Sequence, residues 1–301
     1  MSTLTAAYRS VDPMQNRIVL LLKWACVLMF LARGYQHLVW DAPFRAILWD
    51  PGYMQGWVER FANMTWDEYT TDLQVDQRIK GLIRGFGVFY VLCGVGAAFF
   101  GPRRRWLRWL LYAGSAGLLL LAFMYCKEKF YHTGQFFEYA LQWSFPLFWV
   151  WFGLGRANGR AVRNLLRVAI ALTFAGHGMY ALGIYPVPGH FVDMTIRSLG
   201  LTEPQALIYL QVAGYLDFAV AVGIFLPVVD RYLLIYAAIW GGLTAAARIV
   251  AHFEMDFPGE TLAAWTHETV YRIPHAVGPL LLLWLLPKRS VAVGSEPELK
   301  T

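Results

Sequence analysis

Apolar stretches of roughly bilayer-spanning length recur eight times along this chain, separated by short polar segments. They are expected near Ile18–Trp40, Leu82–Phe100, Trp106–Cys126, Phe136–Leu154, Val162–Gly183, Gln205–Val228, Tyr232–His252 and Thr269–Leu286. The pattern predicts an all-α polytopic membrane protein of about eight spans. The fourth and eighth stretches begin with polar residues and contain Pro146, Pro274 and Pro279. Proline is tolerated in membrane helices where neighbours re-satisfy the freed carbonyl, often as a kink, so these two spans are expected to be irregular.

Composition agrees with this pattern. Only 15% of the 301 residues are charged and 57% are hydrophobic, whereas a soluble domain carries about 25% charged residues. The 13 tryptophans, 16 tyrosines and 20 phenylalanines supply an aromatic load suited to membrane interfaces. Trp40, Trp49, Trp57 and Trp66 fit such a belt better than a cofactor box. The first seventeen residues lack the shape of a signal peptide, and the first apolar run is expected to stay in the mature protein. Cys26, Cys93 and Cys126 form no CxxC or CxxCH pattern, which removes support for a zinc ribbon, a thioredoxin-like motif or covalent haem.

The net charge of +6 resides in short runs between apolar segments, "GPRRRWLR", "RANGRAVRNLLR" and "PKRS". That placement is a topology signal and not a nucleic-acid footprint. An eight-span count puts all three runs on one side with Arg9, Arg17 and Arg231, and puts the acidic loops on the other. Both termini are then expected in the cytoplasm of a cell-membrane protein.

The two halves also resemble each other. Arg33-Gly34 near the end of span one parallels His177-Gly178 near the end of span five. Gly85 and Gly94 keep the nine-residue spacing of Gly214 and Gly223, with Val88 opposite Asp217. Glu138 and Gln142 stand opposite Glu268 and Arg272, and Phe145 opposite His275. Two four-helix units in parallel orientation are expected, over residues 1–157 with an outer loop at 41–80, and over 158–290. A disordered cytoplasmic tail is expected at 291–301.

A unit of this kind resembles the DoxX-like superfamily. The carriers are Gly34 with Pro43-Phe44, Gly178 with Pro188 and Phe191, and "AGYLDFAVAVGIF" with Asp217 and Gly223. The chain departs from the pattern at His37 and Ala181, where the superfamily often has lysine, and at Val88, where it has an acid. The resemblance implies two fused units and a quinone-linked oxidoreductase component working with a partner redox subunit.

Charged groups inside a bilayer are costly and mark a partner, water or a task. All seven histidines fall in the outer half or the outer loops. Glu268, Arg272 and His275 share one helical face, as do Arg248 with His252, Arg33 with His37, and Glu138 with Gln142. His177 lies toward the outer end of span five and Asp217 deeper in span six. These stripes predict a polar cavity in the outer half of the bilayer. Glu268, Arg272, His275, His177 and Asp217 are the candidate catalytic residues, and Arg33, His37, Glu138, Arg248 and His252 the candidate cofactor-binding ones. No metal site is expected. No sequence feature identifies the cofactor. A quinone suits the acid and imidazole groups, and haem b, needing two axial histidines, is the lesser option. A lipid- or small-molecule-modifying enzyme and a ligand-binding or transport protein remain as alternatives.

Overall fold

The computed structural model describes residues 13–156 and 159–287. The tail expected at 291–301, the boundary expected at 157/158, Arg9 and the basic end of "PKRS" lie outside them. Among the described residues every regular element is helical. Five helices are long and apolar enough to cross a membrane. These are α1 (Pro13–Val39), α5 (Leu73–Phe99), α6 (Arg108–Glu128), α11 (Glu203–Gly223) and α12 (Asp230–His252). The helix α9 (Arg160–Ala181) has the length but carries Arg160, Arg163 and Arg167 in its first turns.

The fourth and eighth apolar stretches are each broken in two. Helices α7 (Thr133–Glu138) and α8 (Ala140–Gly153) meet at Tyr139, whose backbone leaves the helical region at φ −89° and ψ 0°. Helices α13 (Pro258–Val270) and α14 (Ile273–Leu285) meet at Tyr271 and Arg272. The second break has a direct cause in Pro274, whose ring would clash with the carbonyl four residues back, that of Val270. Neither α8 nor α14 alone has the length of a membrane span.

The segment between α1 and α5 holds α2 (Arg45–Leu48), α3 (Pro51–Trp57) and α4 (Trp66–Thr71). Thr65 and Glu68 form a reciprocal capping box at the start of α4. Asp50 docks this segment on Lys127 at the end of α6. The same hydrogen bond holds the Asp50 carboxyl below the usual carboxylate range.

At the centre, α1, α8, α9 and α14 pack against one another, with α5 and α6 on one flank and α11 and α12 on the other. One hydrophobic core runs through both halves, from Ile18 and Leu22 to Leu281 and Leu286. The remaining helix, α10 (Gly189–Leu199), lies across α11 and α12.

A glycine contact recurs in the two flanks, in a register shifted from the sequence alignment. A Cβ on Gly34 would sit 3.1 Å from the carbonyl of Gly87, and one on Gly87 would meet Leu38 at 2.7 Å. Likewise a Cβ on Gly178 would sit 3.1 Å from the carbonyl of Gly214, and one on Gly214 would meet Leu182 at 2.8 Å. In this contact Gly87, and not Gly85, takes the place that Gly214 takes in the other flank; Gly85 faces open space. In this register Tyr90, not Val88, stands opposite Asp217. The nine-residue spacing alone could not choose between two glycine pairs offset by two residues.

Candidate functional site

The site is built where the broken helices meet α9 and α12. Gly176 lets α9 approach α7 closely: a Cβ there would lie 2.6 Å from the carbonyl of Gly134 and 2.7 Å from the amide of Glu138. That approach sets His177 Nδ1 3.1 Å from Glu138 Oε1. The Gln135 amide donates to the other carboxylate oxygen at 3.0 Å. With Nδ1 beside the acid, Nε2 is the ring nitrogen left for a ligand.

A second knot joins α12 to the break between α13 and α14. Arg248 Nε donates to Glu268 Oε2 at 3.0 Å, and Arg272 donates to the same oxygen at 3.2 Å. Arg272 also donates to the Glu268 carbonyl, and its own carbonyl bonds His275 Nδ1 at 3.0 Å. The His275 ring lies 5.4 Å from that of His177, centroid to centroid. Two guanidinium groups thus share one carboxylate.

The Tyr271 ring lies between two cations, with Arg272 at 4.6 Å and Arg33 at 3.6 Å from its centroid. Arg33 is fully buried and also lies over the rings of Tyr139 and Tyr125. Its hydrogen-bond acceptors are the amide oxygens of Gln142, at 2.5 and 3.2 Å, and of Gln36, at 2.7 Å. This planar fork against three rings is a place for guanidinium and not for ammonium. Arg33→Lys is expected to cost about 1–3 kcal/mol of stability, seen as earlier denaturation in detergent; an unchanged unfolding midpoint would show the cage to be dispensable.

These knots bound a cavity of about 360 Å³, within the range of small-molecule sites. Of the ten residues singled out from sequence, His177, Asp217, Arg248, Arg272 and His275 line it. Glu138 and Glu268 each lie one ion pair behind the wall. Asp217 is 4% exposed and has no partner for Oδ1.

The other three are placed elsewhere. Arg33 stands behind Tyr271. His252 stacks on Trp265 at 3.8 Å and approaches Asp193 at 3.5 Å, so it ties α10 and α13 to α12. His37 turns away from the cavity, bonded to the Arg33 carbonyl at 2.7 Å and edge-on to Tyr90 and Phe44. It shares a helical face with Arg33, but its ring packs toward α5, a choice that spacing along one helix does not reveal.

Trp240, Thr244 and Tyr271 were not singled out from sequence. Trp240 gave a usable signal, since it sits at the middle of its helix, away from either end. Tyr271 gave none, because its role depends on two arginines from different helices.

The donor set does not fit a bis-histidine haem. The His177 and His275 rings approach each other directly with planes at 54° and leave no flat slot between them, while His37 and His252 face other helices. Among the described residues no group of three or more His, Cys, Asp or Glu side chains converges as metal ligands. Comparison with known proteins finds no matching family model, no matching curated protein and no matching solved structure. The functional reading therefore stands on the geometry. In chemical terms, a His–Glu pair, a buried carboxyl and two guanidinium groups face one small cavity. Such a set can take up or deliver protons and hold a polar, ring-sized group.

Proposed function

We propose that this chain is a membrane protein of DoxX-like type that binds a quinone in the cavity, as the quinone-binding component of an oxidoreductase. The observation that carries the reading is the His177–Glu138 pair facing the Asp217 carboxyl across a cavity whose walls are otherwise mostly apolar. Reducing a quinone to its quinol takes two electrons and two protons. The two protons pass through His177, backed by Glu138, and through Asp217; a partner redox subunit supplies the electrons. Arg248 and Arg272 favour the negative charge that builds on the quinone oxygens before protonation.

In this reading the molecule has eight spans, the fourth and eighth being α7 with α8 and α13 with α14. The two units are parallel repeats, supported by the matched contacts at Gly34–Gly87 and Gly178–Gly214 and by the matched helix breaks. Both termini lie in the cytoplasm of the cell membrane, and the cavity lies in the outer half of the bilayer.

Purified protein in lipid nanodiscs should bind decylubiquinone saturably. His177→Ala and Glu138→Gln should each weaken binding about tenfold, the worth of one charge-assisted hydrogen bond. Binding that is absent, or equal in both variants and the wild type, would overturn the reading. A second reading has its own support, because Glu268 is the one carboxylate shared by Arg248 and Arg272. The resulting excess of positive charge suits a lipid phosphate or carboxylate, as in a lipid-modifying enzyme. Altered membrane lipid composition on expression, without quinone dependence, would favour it.

A further inference from the structure

We propose that the cavity is loaded sideways from the lipid, between α11 and α12 beneath α10, by an amphiphile whose polar head enters first and whose apolar tail stays in the bilayer. This rests on the cavity being a ligand site, as above, and adds how the ligand arrives and what shape it has.

The lining is divided by polarity. His177, Asp217, Arg248, Arg272 and His275 form the inner end. The side that reaches the surface is formed by Leu199 of α10, Tyr209 of α11, and Leu243 and Val250 of α12. Their exposures are 50, 37, 59 and 62%, so this side is a mouth and not a wall. Both α11 and α12 belong to the helices long and apolar enough to span a membrane. Neighbouring outward residues are apolar as well, with Ile208 61%, Val212 54% and Ile239 60% exposed. Of these four side chains only Tyr209 carries a polar atom, so a ligand entering from water finds little at this rim to replace its hydration, whereas a tail lying in lipid loses nothing by crossing it.

Size and polarity at the inner end complete the argument. A volume of about 360 Å³ suits a ring-sized head and leaves a long prenyl tail outside. The unpartnered Oδ1 of Asp217 is a buried polar atom at the inner end, of a kind that is normally hydrogen-bonded. The head of the ligand is what can meet it. Small residues, Ala213 on α11 and Ala247 on α12, line the passage between mouth and inner end.

The test compares probes and fills the passage. In nanodiscs, decylubiquinone should bind while 2,3-dimethoxy-5-methyl-1,4-benzoquinone, the same head without a tail, should bind at least about tenfold more weakly. Ala247→Trp should slow association of the tailed probe at least about tenfold, and Ala247→Leu should fall between it and the wild type, with unchanged size-exclusion profiles marking folded protein. Equal binding of both probes, or equal association in folded Ala247→Trp, would overturn sideways loading. Mass spectrometry of amphiphiles co-purifying with each protein separates the two proposals. A non-quinone amphiphile retained by the wild type and lost from Ala247→Trp refutes the quinone reading and supports sideways entry. Retention by both proteins, or no bound amphiphile and no probe binding at all, refutes sideways entry.

Discussion

Glu268→Gln is expected to lower the unfolding free energy by about 1–3 kcal/mol, the usual cost of leaving a hydrogen-bonded charge without its partner. Arg248 and Arg272 both donate to the same oxygen of Glu268, at 3.0 and 3.2 Å. Arg248 is only 4% exposed and is poorly placed to recover hydration, while Glu268 and Arg272 are partly exposed, which keeps the cost below that of a fully buried pair. Glutamine keeps the shape and one acceptor but removes the charge, and two guanidinium groups are left facing each other in a low dielectric. The result should appear as a lower unfolding midpoint in detergent. A double variant, Glu268→Gln with Arg248→Met, should recover part of the loss, because it removes one of the two uncompensated cations. If the single variant unfolds at the wild-type midpoint, the shared carboxylate is not what holds α12 to the α13–α14 break.

Gly241→Ala is the second large effect expected. Pro279 has no N–H to give to the carbonyl of His275, four residues earlier. That carbonyl instead lies against the backbone of α12, where a Cβ on Gly241 would meet its oxygen at 2.5 Å and its carbon at 2.7 Å. Both obstacles are backbone, so neither can rotate aside, and α14 must move. Overpacking of this kind costs about 1–3 kcal/mol or more, and here it also displaces His275 from the cavity. Loss of ligand binding should therefore accompany the loss of stability. Gly242→Ala is the matched control. Its Cβ would meet only Ala276, at 3.7 Å, and better helix propensity should leave stability unchanged or raised by about 1 kcal/mol. Equal behaviour of the two variants would refute the close approach of α12 and α14.

Much of the site could be read before any fold was known. Histidines confined to one end of the chain's apolar stretches, and acid–base residues at i, i+4 spacing, placed His177, His275, Arg248 and Arg272 at one depth with Asp217 deeper, and all five line the cavity. Depth follows from position along a helix, and that is a property of sequence. Direction around the bundle is not. His37 and Arg33 share a face, yet one ring packs against Tyr90 and the other side chain enters the tyrosine cage. The register between the two halves was likewise out of reach, since Gly85 and Gly87 are equivalent in sequence and only packing against Gly34 selects Gly87.

By itself, then, the sequence determined the long apolar segments, the helical content, the irregularity of the fourth and eighth stretches, and the positions of the polar groups along their helices. Hydrophobicity, proline and residue spacing act locally, and so they can be read locally. The tertiary structure decided which polar groups meet. The His177–Glu138 pair joins helices from different halves. The Tyr271 ring between Arg33 and Arg272, and the carboxylate shared by Arg248 and Arg272, join residues that are distant in the chain. Those partnerships are fixed by how closely helix backbones approach at Gly176 and Gly241, which is a property of two surfaces together and of neither segment alone.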